Sequence, residues 1–441
     1  MKADVVICGA GIAGVSTAYH LAVKSGVRRV IIVDPRPPLT LTSDKSTECY
    51  RNWWPNAPMV GLMNRSIDLL EEMALESDNS FHLSRQGYLY VTASPARLDS
   101  MADEGRSISM LGAGELRTHP GSSGYLPNAA DGADLFLDGD ELRRFYPFVT
   151  NAAVGGIHAR RAGWFSAQQL GAWMIERGLQ CGLEIVKAAV TGITLRGGSV
   201  TSVRLDSGQE IATSQFVNAA GPMLPAVTRM LGVEVPVFSE VHIKVAFRDQ
   251  RKIVPRASPM VIWADPQSLD WSPEEREVLR SENRSDLLGA MPPACHFRPE
   301  GGPDSDWVVA LWEYHRIIQE PTWPLPADPL YPEVVMKGLT TLVPGLAAYL
   351  DRLPQPHVDG GYYTKTRENR PLVGPLGVDG AFVVGAFSGF GVMAAAAAGE
   401  LASCYITGAR LPEYAAFFAL SRYEDPLYVE QIEQVTDTGQ I

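Results

Sequence analysis

A chain of 441 residues is longer than one hydrophobic core usually organises, so two domains sharing an interface are expected. Its 46% hydrophobic and 20% charged residues are those of a globular protein, no apolar run approaches the roughly 20 residues that span a bilayer, and a net charge of −12 argues against nucleic acid or an anionic membrane as partner. Five cysteines (Cys8, Cys49, Cys181, Cys295 and Cys404), odd in number and without C-x-x-C spacing, argue against a disulfide framework or a zinc site, so no metal is expected.

Residues 2–8 form an apolar run of the kind a strand buried on both faces shows, and they lead directly into Gly9, Gly11 and Gly14 in a G-x-G-x-x-G pattern. A helix is expected over 12–25, closed by Gly26, and then a second strand over 30–33 ending in Asp34. Each part has a physical task. Gly9 permits the tight turn, Gly11 lets backbone approach a pyrophosphate, and Gly14 lets the helix pack on the strand, while the helix N-terminus at Ile12 and Ala13 offers unpaired N–H groups. Asp34, followed by Pro35, is placed to accept hydrogen bonds from a ribose. A dinucleotide site is expected, with NAD and FAD equally compatible with this motif and a plain glycine turn as the bland alternative. Because the first strand begins near residue 4, no signal peptide is expected and a cytoplasmic location is favoured.

Residues 35–58 read as a long functional loop in which Tyr50, Trp53 and Trp54 argue against disorder. An amphipathic helix follows over 59–76, a strand over 87–92, a helix over 95–112 and a strand over 152–160. Ser166 is a helix N-cap, and Gly182 closes that helix. Short β segments over 184–217 end in Asn218, Ala219, Ala220, Gly221 and Pro222, a second glycine turn. Further β segments at 236–247, 259–263 and 307–315 predict a mostly antiparallel sheet, with a charged helical insert at 270–286 and a helix over 332–350 broken near Pro344. A strand at 381–385, a turn through Ser388, Gly389, Phe390 and Gly391, and a small-residue helix from Val392 to 405 complete the chain.

Taken in order, the N-terminal fingerprint, the segment 163–170 ahead of a helix, Val190, the turn at 218–222, and the segment 364–374 followed by Ser388 to Gly391 resemble the glycine oxidase, sarcosine oxidase and D-amino-acid oxidase (DAO) family of FAD-dependent amine oxidoreductases. The resemblance covers most of the chain. It implies an α/β architecture, α+β overall: a Rossmann-like doubly wound FAD-binding domain over 1–80, 150–232 and 355–441, and an antiparallel-sheet substrate domain over 81–149 and 233–354. FAD would lie extended, its pyrophosphate on the first helix and its ring near Ser46, Thr47 and the second helix, with Val190, Ala220, Gly221, Ser388, Gly389, Phe390, Gly391 and Val392 along it.

In relatives that oxidise N-methyl amino acids, an arginine after the first unit binds the substrate carboxylate, and Arg51 stands at the matching place; a plain salt bridge is the alternative. Met393 replaces a second expected cation, and Leu311 replaces the lysine that promotes reaction with oxygen, a role open to Lys244. Gly361 stands where some relatives attach FAD through cysteine, so non-covalent FAD is expected. Tyr50, Trp53, Trp54, Trp312 and Tyr314 are either an aromatic wall or ordinary packing. His242, His296 and His315 either orient the amine or are structural, and Arg367 and Arg370 either contact flavin or substrate or pair with Glu368. The implied reaction is oxidation of the C–N bond of a secondary or tertiary amine, an N-substituted or D-amino acid, by hydride transfer to flavin N5, with O2 or an electron-carrier protein as acceptor. Oxidation of a hydroxy acid or polyol phosphate on the same fold is the competing activity, and a non-catalytic nucleotide-binding protein the competing class.

Overall fold

Val5–Cys8 lies inside a six-stranded sheet ordered Leu372–Pro375, Ala381–Gly385, Phe216–Asn218, Val5–Cys8, Val30–Asp34, Leu183–Lys187, parallel throughout except for the first pair. The computed structural model describes residues 1–119, 125–126, 129–314 and 316–434. Alternation in the central strands sends Val5, Ile7, Val30 and Ile32 to one core, and Val6, Cys8, Ile31 and Val33 to another. The first core is covered by the helices Ile12–Tyr19 and Gly391–Thr407. The second is covered by a small antiparallel sheet of Val190–Arg196, Ser199–Leu205 and Glu210–Ala212. This burial on both faces explains why those strands read as unbroken apolar runs.

The two covering helices approach closely because the second is built of small residues. A Cβ on Gly399 would lie 2.5 Å from Ser16 Oγ and 2.7 Å from Ser16 C. The helix expected over 12–25 is α-helical only to Tyr19. It continues as a π-helical turn, His20–Lys24, in which Ser25 N–H donates to the His20 carbonyl five residues back.

A second, nine-stranded sheet runs His357–Lys365, Phe238–Arg248, Trp307–Leu311, His296–Glu300, Met260–Trp263, Tyr88–Thr92, Gly155–Ala159, Ala133–Phe136, Leu116–Thr118. Of its pairings, Met260–Trp263 with Tyr88–Thr92 and Leu116–Thr118 with Ala133–Phe136 are parallel, the rest antiparallel. It includes Gly155–Ala159 and His357–Lys365, two strands from segments that the resemblance places in the nucleotide domain. The strand expected over 307–315 ends at Leu311, and the loop expected over 35–58 contains a short strand, Cys49–Arg51, paired with Ala162–Trp164.

The faces of this sheet have different employments. Val245, Phe247, Val308, Ala310, Phe297 and Val261 pack under the helix Tyr331–Leu342. His242, Lys244, Leu311, His296 and Tyr363 occupy the other face, which looks toward the first sheet. No described helix is long and apolar enough to cross a membrane.

Candidate active site

A cavity of about 1090 Å³ runs from the glycine fingerprint to the face of the large sheet. At its first end Gly9 has φ +112°, and a Cβ there would sit 2.3 Å from the Ala219 carbonyl oxygen; a Cβ on Gly14 would sit 2.0 Å from the Gly9 carbonyl oxygen. Those two glycines are needed by the protein's own packing. Gly11 differs: it lines the cavity, and a Cβ on it would meet only Ser43 Oγ, at 3.3 Å, within 4 Å. Space is kept above Gly11 for something other than protein. Asp34 lines the same end, its carboxylate held by the N–H groups of Ala10 and Arg36, both at 2.8 Å.

At the far end the strand Ala381–Gly385 turns into the helix Gly391–Thr407 through Ala386 and Ser388, both left-handed at φ +56° and +51°. Two non-glycine residues in that region cost about 1–2 kcal/mol each and are kept where the surroundings over-determine them. Here Ser388 N–H donates to the Thr364 carbonyl, and the Tyr363 ring lies so close that a Cβ on Gly389 would meet it at 2.4 Å. The helix begins at Gly391 with no side-chain cap, and Gly391 and Val392 line the cavity, so its N–H groups and positive dipole end face the space.

Between these ends, residues 43–48 are held from three directions. Ser43 Oγ accepts the Ile12 N–H at 2.9 Å, Lys244 Nζ donates to the Ser46 carbonyl at 2.7 Å, and the buried Arg298 donates from Nε and Nη2 to the Thr47 carbonyl at 2.9 and 2.6 Å. The first helix and the large sheet thus share one loop, and the cavity lies between them.

A smaller cavity of about 460 Å³ shares Leu311, Tyr363 and Gly389 with the larger one. Arg51, Trp54, Met393, Thr47 and Phe390 line it, with Arg51 stacked 4.2 Å from the Trp54 ring centroid and its Nη1 donating to the Trp53 carbonyl. His296, also lining it, faces the Ala294 carbonyl from Nδ1 at 2.8 Å, and burial lowers its pKa. Glu313 completes the wall. His242 sits between carboxylates, Nδ1 3.1 Å from Glu313 Oε1 and Nε2 3.2 Å from Glu240 Oε2, which Lys365 Nζ grips at 3.0 Å. Burial alone would lower the His242 pKa; the charge of Glu313 and the hydrogen bonds to Glu240 and Glu313 raise it.

Of the residues expected along the cofactor, Gly9, Gly11, Ile12, Ala13, Asp34, Ser46, Ala220, Gly221, Ser388, Gly389, Gly391 and Val392 line the large cavity. Gly14, Pro35 and Val190 line neither cavity, Val190 being paired with Leu205 in the small sheet. Among the substrate-side expectations, Tyr50 is fully buried with its hydroxyl on the Ser84 carbonyl, and Tyr314 bonds Asp328 and stacks on Tyr331. Trp53 is buried in the core and Trp312 lines a third cavity. Arg367 is at the surface near Glu433, and Arg370 near Tyr428. His315 lies outside the described residues. Ser43, Glu313 and Tyr363 were missed; alternate-residue counting along 238–248 would have brought Glu240, His242 and Lys244 to one face, though not their partners.

The sequence matches "DAO: FAD dependent oxidoreductase" over residues 4–404, and the chain belongs to that family. It is 29% identical over 252 residues to the sarcosine oxidase subunit beta of Rhizobium meliloti, and 24% identical over 244 residues to the mitochondrial dimethylglycine dehydrogenase of Homo sapiens. Each match takes in 55% of this chain, but only 55% and 26% of those relatives' lengths. The fold is that of L-proline dehydrogenase from P. horikoshii, at a TM-score of 0.75 and 19% identity, over 96% of this chain and 98% of that one. The residues present fit FAD: a glycine with room above it, and two helix N-termini facing one continuous cavity.

Proposed function

We propose that this chain oxidises the C–N bond of a secondary or tertiary amine, an N-substituted or D-amino acid, and holds its FAD without a covalent bond. The observation that carries the reading is the inner cavity, which meets the cofactor cavity at Leu311, Tyr363 and Gly389 and has a guanidinium, Arg51, in its wall. FAD, when bound, supplies the acceptor for the hydride that leaves the carbon next to nitrogen.

The chain supplies position. Arg51, its plane fixed on Trp54, presents a fork suited to a carboxylate. Leu311, Met260, Phe390 and Met393 supply an apolar part of the cavity wall, and Tyr363 lines both cavities. Ser43 and the N-termini of the helices Ile12–Tyr19 and Gly391–Thr407 would hold the cofactor's charged parts. The names of the relatives, which act on sarcosine and dimethylglycine, support a small N-methylated amino acid. Electrons would pass on to O2 or to an electron-carrier protein.

The test is anaerobic mixing of the flavin-loaded protein with N-methyl amino acids, D-amino acids, hydroxy acids and polyol phosphates, following flavin bleaching. Bleaching by the amines supports the reading. Bleaching only by the hydroxy acids or polyol phosphates overturns it.

A further inference from the structure

The inner cavity carries two opposite charges, and the negative one has no task in holding a carboxylate. Among the described residues that line it, burial raises the pKa values of Cys49, Tyr88 and Tyr363 and lowers that of His296, so all four are neutral at pH 7. Arg51 and Glu313 remain. Buried carboxylates are retained where something compensates them. Glu313 is compensated from behind, by the His242 ring at 3.1 Å, and Arg316 Nη2 approaches its Oε2 at 3.5 Å from an exposed position.

The His242 ring has a carboxylate at each nitrogen, an arrangement that favours hydrogen on both and a cationic ring. Its stacking on Tyr363, at 3.7 Å between centroids, fixes the plane in which it can donate. Within the buried cluster two cations, His242 and Lys365, face two carboxylates, Glu240 and Glu313. The buried part of the cluster is thus balanced, and the one further cation beside Glu313, Arg316, lies at an exposed position where solvent screens it. Burial would raise the Glu313 pKa, but the charge and hydrogen bond of His242 lower it, so the group stays ionised.

Four aromatic rings, Trp54, Tyr88, Tyr363 and Phe390, line the same cavity, and ring faces attract an alkylated ammonium that has few N–H donors of its own. We propose that Glu313, together with these rings, is the receptor for the substrate's positively charged nitrogen, so that the cavity selects a zwitterion by reading both of its charges, the carboxylate at Arg51 and the ammonium at Glu313. A substrate carboxylate would be repelled from the Glu313 side, which fixes the direction in which the molecule enters. The contact is one of recognition, made with the nitrogen in the charged form it has in water, and takes no part in breaking the C–H bond. The inference rests on the amine reading only in requiring that a nitrogenous ligand enters this cavity.

Two ligands of the same shape separate the charges. Trimethylglycine and tert-butylacetate share a carboxylate and a three-methyl head and differ in one quaternary nitrogen replaced by carbon; neither can be oxidised as an amine. Titrated into flavin-loaded protein and read by flavin absorbance, trimethylglycine should bind about tenfold tighter than tert-butylacetate. In Glu313→Gln, with flavin content checked, that ratio should fall to about two or three, the share the rings keep, through loss of trimethylglycine binding, whereas Arg51→Met should weaken both ligands and preserve it. A wild-type ratio near one, a ratio that survives Glu313→Gln, or no binding of either ligand overturns the proposal. Should the ratio hold while no amine bleaches the flavin, the amine reaction is what fails and the charge reading stands.

Discussion

Lys244 stands directly opposite Leu311 in the antiparallel ladder between Phe238–Arg248 and Trp307–Leu311, on the face that looks into the cofactor cavity. Directly opposed residues of such a pair project to one face. A cation absent from one strand is therefore present on its neighbour, a few ångströms away. Burial lowers the Lys244 pKa, and Asp359 and Glu48 push back. Lys244→Met should slow re-oxidation of reduced flavin by O2 by about tenfold, and slow its anaerobic reduction by amine distinctly less. Stopped-flow measurement of the two half-reactions decides it; equal slowing of both would deny Lys244 a specific part in the oxygen step.

The fingerprint glycines separate into two kinds. Gly14→Ala drives a methyl into the Gly9 carbonyl and should destabilise even the flavin-free protein, by about 1–3 kcal/mol. Gly11→Ala should leave the flavin-free melting temperature nearly unchanged and weaken FAD binding by about tenfold. Thermal melts with and without FAD distinguish them, and a flavin-free Gly11→Ala that melts as early as Gly14→Ala would contradict the assignment.

The His242 cluster makes a pH-dependent contribution to stability. Its folded pKa is raised, so the stabilisation is fully present below the ordinary value of about 6.5 and is lost as pH rises through the folded value. Burial alone would raise the Glu240 pKa, but the His242 hydrogen bond and Lys365 hold it down to about 2, so its share is present above about 4.5 and disappears as pH falls toward 2. His242→Gln should cost about 3 kcal/mol near pH 6, with the gap to wild type narrowing in alkaline buffer. Denaturant melts at the two pH values check this; a constant gap would mean the ring is neutral in the folded protein.

Flavin should leave with acid. No cysteine among the described residues lines the large cavity, and His242, which does, has both ring nitrogens turned to carboxylates. Precipitating the loaded protein with acid should put essentially all flavin fluorescence in the supernatant; yellow, fluorescent protein in the pellet would contradict it.

What could be read in the chain was whatever depends on neighbours in sequence. Gly9, Gly11 and Gly14 with their strand, helix and Asp34 are a local unit, and so is the turn at Ser388 to Gly391. The inner cavity is different. Its residues reach one another across ladders, as Leu311 reaches His296 and Lys244, and their register is set by pairing over long separations. Glu313 sits two residues beyond the end of its strand, where apolar alternation has stopped, so nothing local marks it as a wall residue. Tyr50 and Tyr314 misled for the converse reason: an aromatic near a motif has no local sign of which way it points, and both point into packing.

The loop at 43–48 and the cavity above it have a consequence for synthesis. The phosphate-binding turn is complete within the first fourteen residues, yet the walls of its chamber are drawn from residues as distant as 219–222, 242–244, 361–364 and 384–392. The fingerprint at Gly9 to Gly14 is thus far ahead in the chain of the segment 384–392 that closes the same cavity, and the chamber is complete only when both are in place. A product cut short before the strand Ala381–Gly385 should therefore keep the fingerprint and stay colourless.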